Sequence, residues 1–307
     1  MTVVRAAAVA LAVCVAVVSG GLAAVAASGD GGWERAASMS QRRSYVAAAE
    51  LGGAVYAAGG MVGETGRPLA TFARYEPDAD RWEVLPRLPV PTRAAAGAAV
   101  DGLVHVVGGT TAEGNTRATW AYDPATRRWR PRAPLPEPRF NHSAVSLGGK
   151  LYVLGGFADG RERDDVLAYE PRADRWTRVT RLPRPLHAFG AVAVGDEIWV
   201  IGGRAGEEVL HDVWILDPRE RRWRRGPSMP KPMDLLGVAA DGDEIHAVWE
   251  STYQILDVTA GRWRDGPRPL VTRHALEAFA IDGVLYTVGG CTTALQDSPV
   301  VERVAIR

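Results

Sequence analysis

Residues 141–179, NHSAVSLGGKLYVLGGFADGRERDDVLAYEPRADRWTRV, decide the architecture of this chain. Asn141 to Leu147 reads as one short strand, and Gly148-Gly149 turns the chain. Lys150 to Leu154 alternates and stops at Gly155-Gly156. After a polar loop, Asp165 to Tyr169 reads as a third strand, and a Glu170-Pro171 turn leads to a fourth, Arg175 to Val179. Val, Leu and Tyr at period two, bounded by Gly, Pro and Asp, are hairpin signals. No stretch after residue 30 carries a 3.6 period long enough for a globular helix.

The same unit recurs on both sides. Glycine pairs fall at Gly59-Gly60, Gly108-Gly109, Gly155-Gly156, Gly202-Gly203 and Gly289-Gly290, with first spacings of 49, 47 and 47. The gap of 87 before the last pair holds a degenerate unit around Ile245-His246-Ala247-Val248. Tryptophan keeps step at Trp33, Trp82, Trp129, Trp176, Trp223 and Trp263. Between glycines and tryptophan lies an acid-Pro turn: Tyr75-Glu76-Pro77, Tyr122-Asp123-Pro124, Tyr169-Glu170-Pro171 and Leu216-Asp217-Pro218. A four-stranded unit repeated about six times predicts an all-β, six-bladed β-propeller. Phase predicts its closure. Trp33 precedes all five of these repeat glycine pairs, and the last unit ends at a third strand, Val300 to Ile306. The strand around Trp33 is therefore expected to complete the last blade, which removes a free seam.

Gly-Gly, a Tyr-acid-Pro turn and then Trp about 20 residues on resembles the Kelch family. Gly109 to Trp129, Gly156 to Trp176 and Gly203 to Trp223 are each 20 apart, and Gly60 to Trp82 is 22. The resemblance covers about Trp33 to Arg307. Blade five departs from it, with no Gly-Gly and with Asp257-Val258 in place of the acid-Pro turn. The resemblance implies a propeller like the central domain of galactose oxidase, binding ligands or partners at the loops before the first strand and after the second.

The ends and the charge bound the rest. Arg5, an apolar run from Ala6 to about Val18 and the small-residue site Ala24-Val25-Ala26 describe a secretory signal peptide. Residues 1–26 are read as that signal and 27–307 as one Kelch propeller, secreted or extracytoplasmic. An uncleaved anchor is the alternative, and membrane contact arises only in that case. Cys14, the candidate for a lipoprotein signal, lies in the leader, which leaves Cys291 alone in the mature chain. Lys150 and Lys231 are the two lysines among 36 Lys plus Arg, so 36 − 2 = 34 are arginine, a bias that, with the alanine content, fits a GC-rich bacterial genome and so, given the leader, an exported bacterial member of the family. With 36 acidic residues the net charge is zero, which argues against a general nucleic-acid binder.

Candidate ligand-binding residues in the loops before the first strands are Arg43, Arg93, Arg139, His142, His187, Asp234, Arg273 and His274, with Glu277 beside them. Met61, Phe157, Arg204 and Glu250 occupy the loops after the second strands. The arginines resemble those lining Kelch pockets and suit anionic ligands. The equal alternative is that they bind backbone carbonyls and tie the blades. Tyr and Trp of the repeat are read as packing between blades. The run Arg219 to Arg225 is read as a solvated outer edge rather than an anion-binding rim. Blade five, with Trp249-Glu250-Ser251-Thr252, is expected to open a notch, placing Asp234 and Glu250 near Arg273, His274 and Glu277. No Gly-x-Ser-x-Gly, Walker or dinucleotide fingerprint occurs, nor a His-x-x-x-His pair, so no cofactor or metal is expected. The expected function is a binding module for a protein or cell-surface glycan. The alternative is a sugar mutarotase or epimerase-like isomerase in the central pocket, with His187, His274, Glu277 and an arginine as candidate acid, base and anchor.

Overall fold

A computed structural model describes residues 32–63, 65–292 and 296–306. The signal-peptide expectation for residues 1–26 lies outside them. Among the described residues, six four-stranded antiparallel sheets form the blades of a propeller. Blade one is Ala47–Leu51, Ala54–Ala58, Phe72–Glu76 and Arg81–Val84, and blade two is Ala96–Val100, Leu103–Val107, Thr119–Asp123 and Arg128–Arg132. Blade three is Ser143–Leu147, Lys150–Leu154, Asp165–Glu170 and Arg175–Arg181. Its first strand starts two residues later than the pattern predicts, because Asn141 has a positive φ of 50° and leaves the ladder. Blade four is Gly190–Val194, Glu197–Ile201, Val213–Asp217 and Arg222–Arg225. Blade five is Gly237–Asp241, Glu244–Trp249, Thr252–Asp257 and Arg262–Asp265. Blade six is Glu277–Ile281, Val284–Val288 and Val301–Ala305, completed by Glu34–Ala36 from the start of the described chain. Glu34 faces Arg303 and Ala36 faces Val301 in that ladder, so the ring closes as phase requires.

Six hydrophobic clusters lie between neighbouring blades, one at each interface. The repeat tyrosines Tyr75, Tyr122 and Tyr169 are fully buried in them. Each first strand pairs on one side only, with the second strand, so its other edge faces the axis. Small residues let the six edges approach. A Cβ on Gly97 would sit 2.5 Å from the Ala48 carbonyl oxygen of the neighbouring blade.

The tryptophans staple the ring. Indole N–H groups of Trp33, Trp82, Trp129, Trp176 and Trp263 donate to the carbonyls of Pro267, Ala37, Pro86, Ala133 and Pro227. Each acceptor lies four residues after the preceding blade's tryptophan. Trp223 breaks the rule, with no partner for its buried indole nitrogen among the described residues. By the same offset its acceptor would be Thr180. A register shift at Val166/Leu167 keeps Thr180 in blade three's ladder opposite Val166.

The arginine run is an outer edge, as expected. Arg219 pairs with Asp196 and Arg224 with Glu197. Arg225 pairs with Asp212 and lies 4.6 Å over the Trp214 ring.

Candidate functional site

The loops that feed the first strands meet in a collar around the axis. One residue per blade, Tyr45, Ala94, Asn141, Ala188, Leu235 and Ala275, takes a positive φ of 48–57°. None is glycine, so each adopts a conformation that L side chains disfavour by about 1–2 kcal/mol. Hydrogen bonds hold them there. The N–H of each donates to the carbonyl of its neighbour around the ring, at 2.7–3.0 Å for the five internal links. The sixth link, Tyr45 N–H to Ala275 O at 3.3 Å, joins blade one to blade six.

The structure corrects three of the sequence-based ligand candidates. Arg43, Arg139 and Arg273 are at most 1 % exposed and do not reach the mouth. Arg43 donates to the carbonyls of Ala57, Gly59 and Thr71. Arg139 donates to Gly155 O and grips Asp165 with both terminal nitrogens, at 3.0 and 2.8 Å. Arg273 donates to Gly289 O, Val300 O and the Glu302 carboxylate. These guanidiniums tie each inbound loop to its own blade, where a carbonyl cluster offers the fork of donors its match. His142 does not stand at the mouth but lines the pocket below the collar, beside Gly108 and Gly156, where burial, with Arg139 adding to it, lowers its imidazole to about 3. It stays neutral.

Arg93 and His187 line surface cavities at the mouth, whereas Asp234 is buried and His274 is half-buried. His187 Nδ1 lies 3.0 Å from Glu162 Oε1, and the same oxygen accepts the Gly206 N–H at 2.7 Å. Arg204 binds Asp234 through Nε and Nη2 at 2.9 and 2.8 Å. Asp234 is thus committed to blade four, and Glu250 meets Arg273 through its backbone N–H. His274 Nε2 lies 3.1 Å from Cys291 Sγ, whose thiol is pushed up to about 11 by burial and then by Asp297. Ser44 donates to Asp297 at 2.6 Å. Tyr45, raised to about 12 by burial, feels Cys291 and Asp234 as negative and Arg93 and Arg204 as positive neighbours.

Unequal loops surround this mouth. Blades one to four each add a small hairpin, such as Phe157–Ala158 with Arg161–Glu162 and Arg204–Ala205 with Glu208–Val209. Between these two lies a cavity of about 430 Å³, lined by Phe157, Arg161, Glu162, His187, Arg204 and Glu207. Blade five has only the turn Glu250-Ser251 between Trp249 and Thr252 and adds no small hairpin. Among the described residues no group of three or more His, Cys, Asp or Glu is placed to hold a metal.

Glu277 sits apart from the candidates at the mouth and shares the pocket below the collar with His142. It lines both a pocket of about 110 Å³ below the collar and a channel cavity of about 340 Å³ beyond it. Burial raises its carboxyl to about 8. Sequence reasoning missed Tyr45, Asn141, Glu162 and Asp297. The first two were available from phase, since Tyr45, Ala94, Asn141 and Ala188 recur at the repeat spacing.

Comparison with known proteins agrees with the propeller fold. The solved structure entitled "Structure of YjhT" superposes with a TM-score of 0.75 at 16% identity, covering 85% of this chain and 94% of that one. An F-box/kelch-repeat protein of Arabidopsis thaliana is 37% identical over 75 residues, which is 24% of this chain and 20% of that protein. Kelch-like protein 33 of Homo sapiens is 34% identical over 87 residues, 28% of this chain and 16% of that protein. The matches thus span no more than a fifth of those relatives' length. The family described as KLHDC2/KLHL20/DRC7 Kelch-repeats domain matches residues 45–248, and the chain belongs to this Kelch-repeat family.

Proposed function

We propose that the chain is an exported binding module that recognises a polypeptide or a cell-surface glycan through the loop face around the collar. The collar is the observation that carries this reading. Six loops locked by backbone hydrogen bonds present one residue set from every blade at little ordering cost on binding. The side-chain pairs His187–Glu162 and Arg204–Asp234 fix the side chains of the blade three–four groove in advance. Family membership and the aromatic Phe157 in that groove favour a polypeptide as the first ligand to test.

A phage-displayed random peptide library tests it, with a glycan array as the second arm. Enriched ligands should bind at least tenfold more weakly to Phe157→Ala/Arg161→Ala, and unchanged to Lys150→Ala/Arg172→Ala on the opposite face. No enrichment in either arm, or equal loss on both faces, would refute the reading.

One observation favours a second reading, an isomerase. Glu162 accepts from His187 Nδ1, which leaves Nε2 as the basic nitrogen toward the groove. An NMR assay of α/β sugar exchange, with His187→Ala as control, tests this reading. A rate at the uncatalysed level removes it.

A further inference from the structure

The neck of the central channel has the opposite polarity to the one its arginines promise. Gly97, Ala144, Ala191, Val238 and Glu277 line both the pocket under the collar and the cavity beyond it, and so form the waist between them. Four of these five have no polar side chain. The corresponding first residues of the other blades' inner strands are Ala47, Ala96, Ser143, Gly190 and Gly237. Glu277 is therefore one carboxylate in a ring of small residues, with no hydrogen-bond or ion-pair partner among the described residues. The titratable neighbours supply no counter-charge. His142 is kept neutral by burial, Tyr45 by its raised phenol, and Glu50, at the far cavity, accepts the Gly53 N–H.

A half-buried carboxylate without protein donors in a narrow channel is satisfied by water, by a proton or by a cation. We propose that the neck is a binding site for a primary alkylammonium group, with Glu277 as its counter-ion. Asn141 and Ser143 line the same pocket and supply further acceptor oxygens. The Ser143 hydroxyl donates to Phe189 O, so its lone pairs remain available to accept. Above them Ala94, Ala188, Leu235 and Ala275 of the collar give an apolar sleeve for an unbranched stem. A lysine side chain of a bound polypeptide and a free alkylamine share this chemistry. The inference goes beyond the loop-face reading and fails separately from it.

The test uses the full chain with ¹³C-labelled glutamate and n-butylamine as the probe, with n-butanol and butyrate as controls. Saturating butylamine should lower the midpoint of the Glu277 carboxyl titration by at least one pH unit, and neither control should move it. Glu277→Gln, checked for an unchanged circular dichroism spectrum, should bind butylamine at least tenfold more weakly. A Glu277 midpoint unmoved by butylamine, or equal binding to Glu277→Gln, overturns the proposal whatever the peptide library yields. In the peptide arm, loss of lysine-bearing ligands on Glu277→Gln assigns the site to a side chain. Loss of the free amine alone assigns it to a small molecule.

Discussion

Phenylalanine substitutions at the repeat tryptophans should divide them into two classes that the sequence does not distinguish. Trp176→Phe removes a 2.8 Å bond from the indole N–H to the Ala133 carbonyl, whereas Trp223→Phe removes none. The lost ring area is common to both, so the difference isolates the bond. A net hydrogen bond is worth about 0.5–1.5 kcal/mol. Trp223→Phe also deletes a buried donor that had no partner, which offsets part of its cost. Trp176→Phe should thus be the more destabilising by about 1 kcal/mol, or roughly fivefold in the folding constant. For a domain of this size that is about 2–4 °C in melting temperature. Urea titration followed by far-ultraviolet circular dichroism, with m-values held common, measures the difference. Equal cost at the two sites, or a larger cost at Trp223, would refute the stapling argument.

Three further outcomes follow from the same geometry. Deleting residues 300–307 removes the partner of Glu34–Ala36 and opens the seam, so the protein should aggregate or melt early. Trp33→Ala, at 6 % exposure, should cost about 3–5 kcal/mol, and unchanged melting curves for both would reject the closure. Arg139→Ala leaves Asp165 buried without its guanidinium and should cost about 3–5 kcal/mol, against about 0.5 kcal/mol or less for Arg93→Ala. Comparable melting temperatures for the two variants would return Arg139 to the list of ligand contacts. For Glu277, the folded carboxyl near 8 lies above its ordinary 4.5. The native state therefore holds a proton that the unfolded chain releases. This contribution to stability is complete below about pH 4.5 and is lost as pH rises through about 8, with an upper bound of about 5 kcal/mol that channel water reduces. Glu277→Gln should flatten the pH profile in that window, and parallel profiles would show that the carboxyl is ionised throughout.

Strand number, blade number and the closing strand were legible in the sequence because their causes are local. Alternation at period two, glycine pairs and acid-Pro turns each act within a few residues, and their phase carries the ring closure. The arginines were ambiguous because a guanidinium binds a carbonyl cluster and an anion by the same fork of donors. What lies opposite Arg43, Arg139 and Arg273 depends on how each loop folds back on its blade. The collar was hidden for a related reason, since Tyr45, Ala94 and Leu235 have no local preference for a positive φ and take it only because the neighbouring carbonyls close the ring. Trp223 looks identical to its five counterparts until blade three's register shift withdraws Thr180. Glu277 is one glutamate among many in the sequence. Only the convergence of six inner strands leaves it as the unpaired carboxyl at the channel's neck.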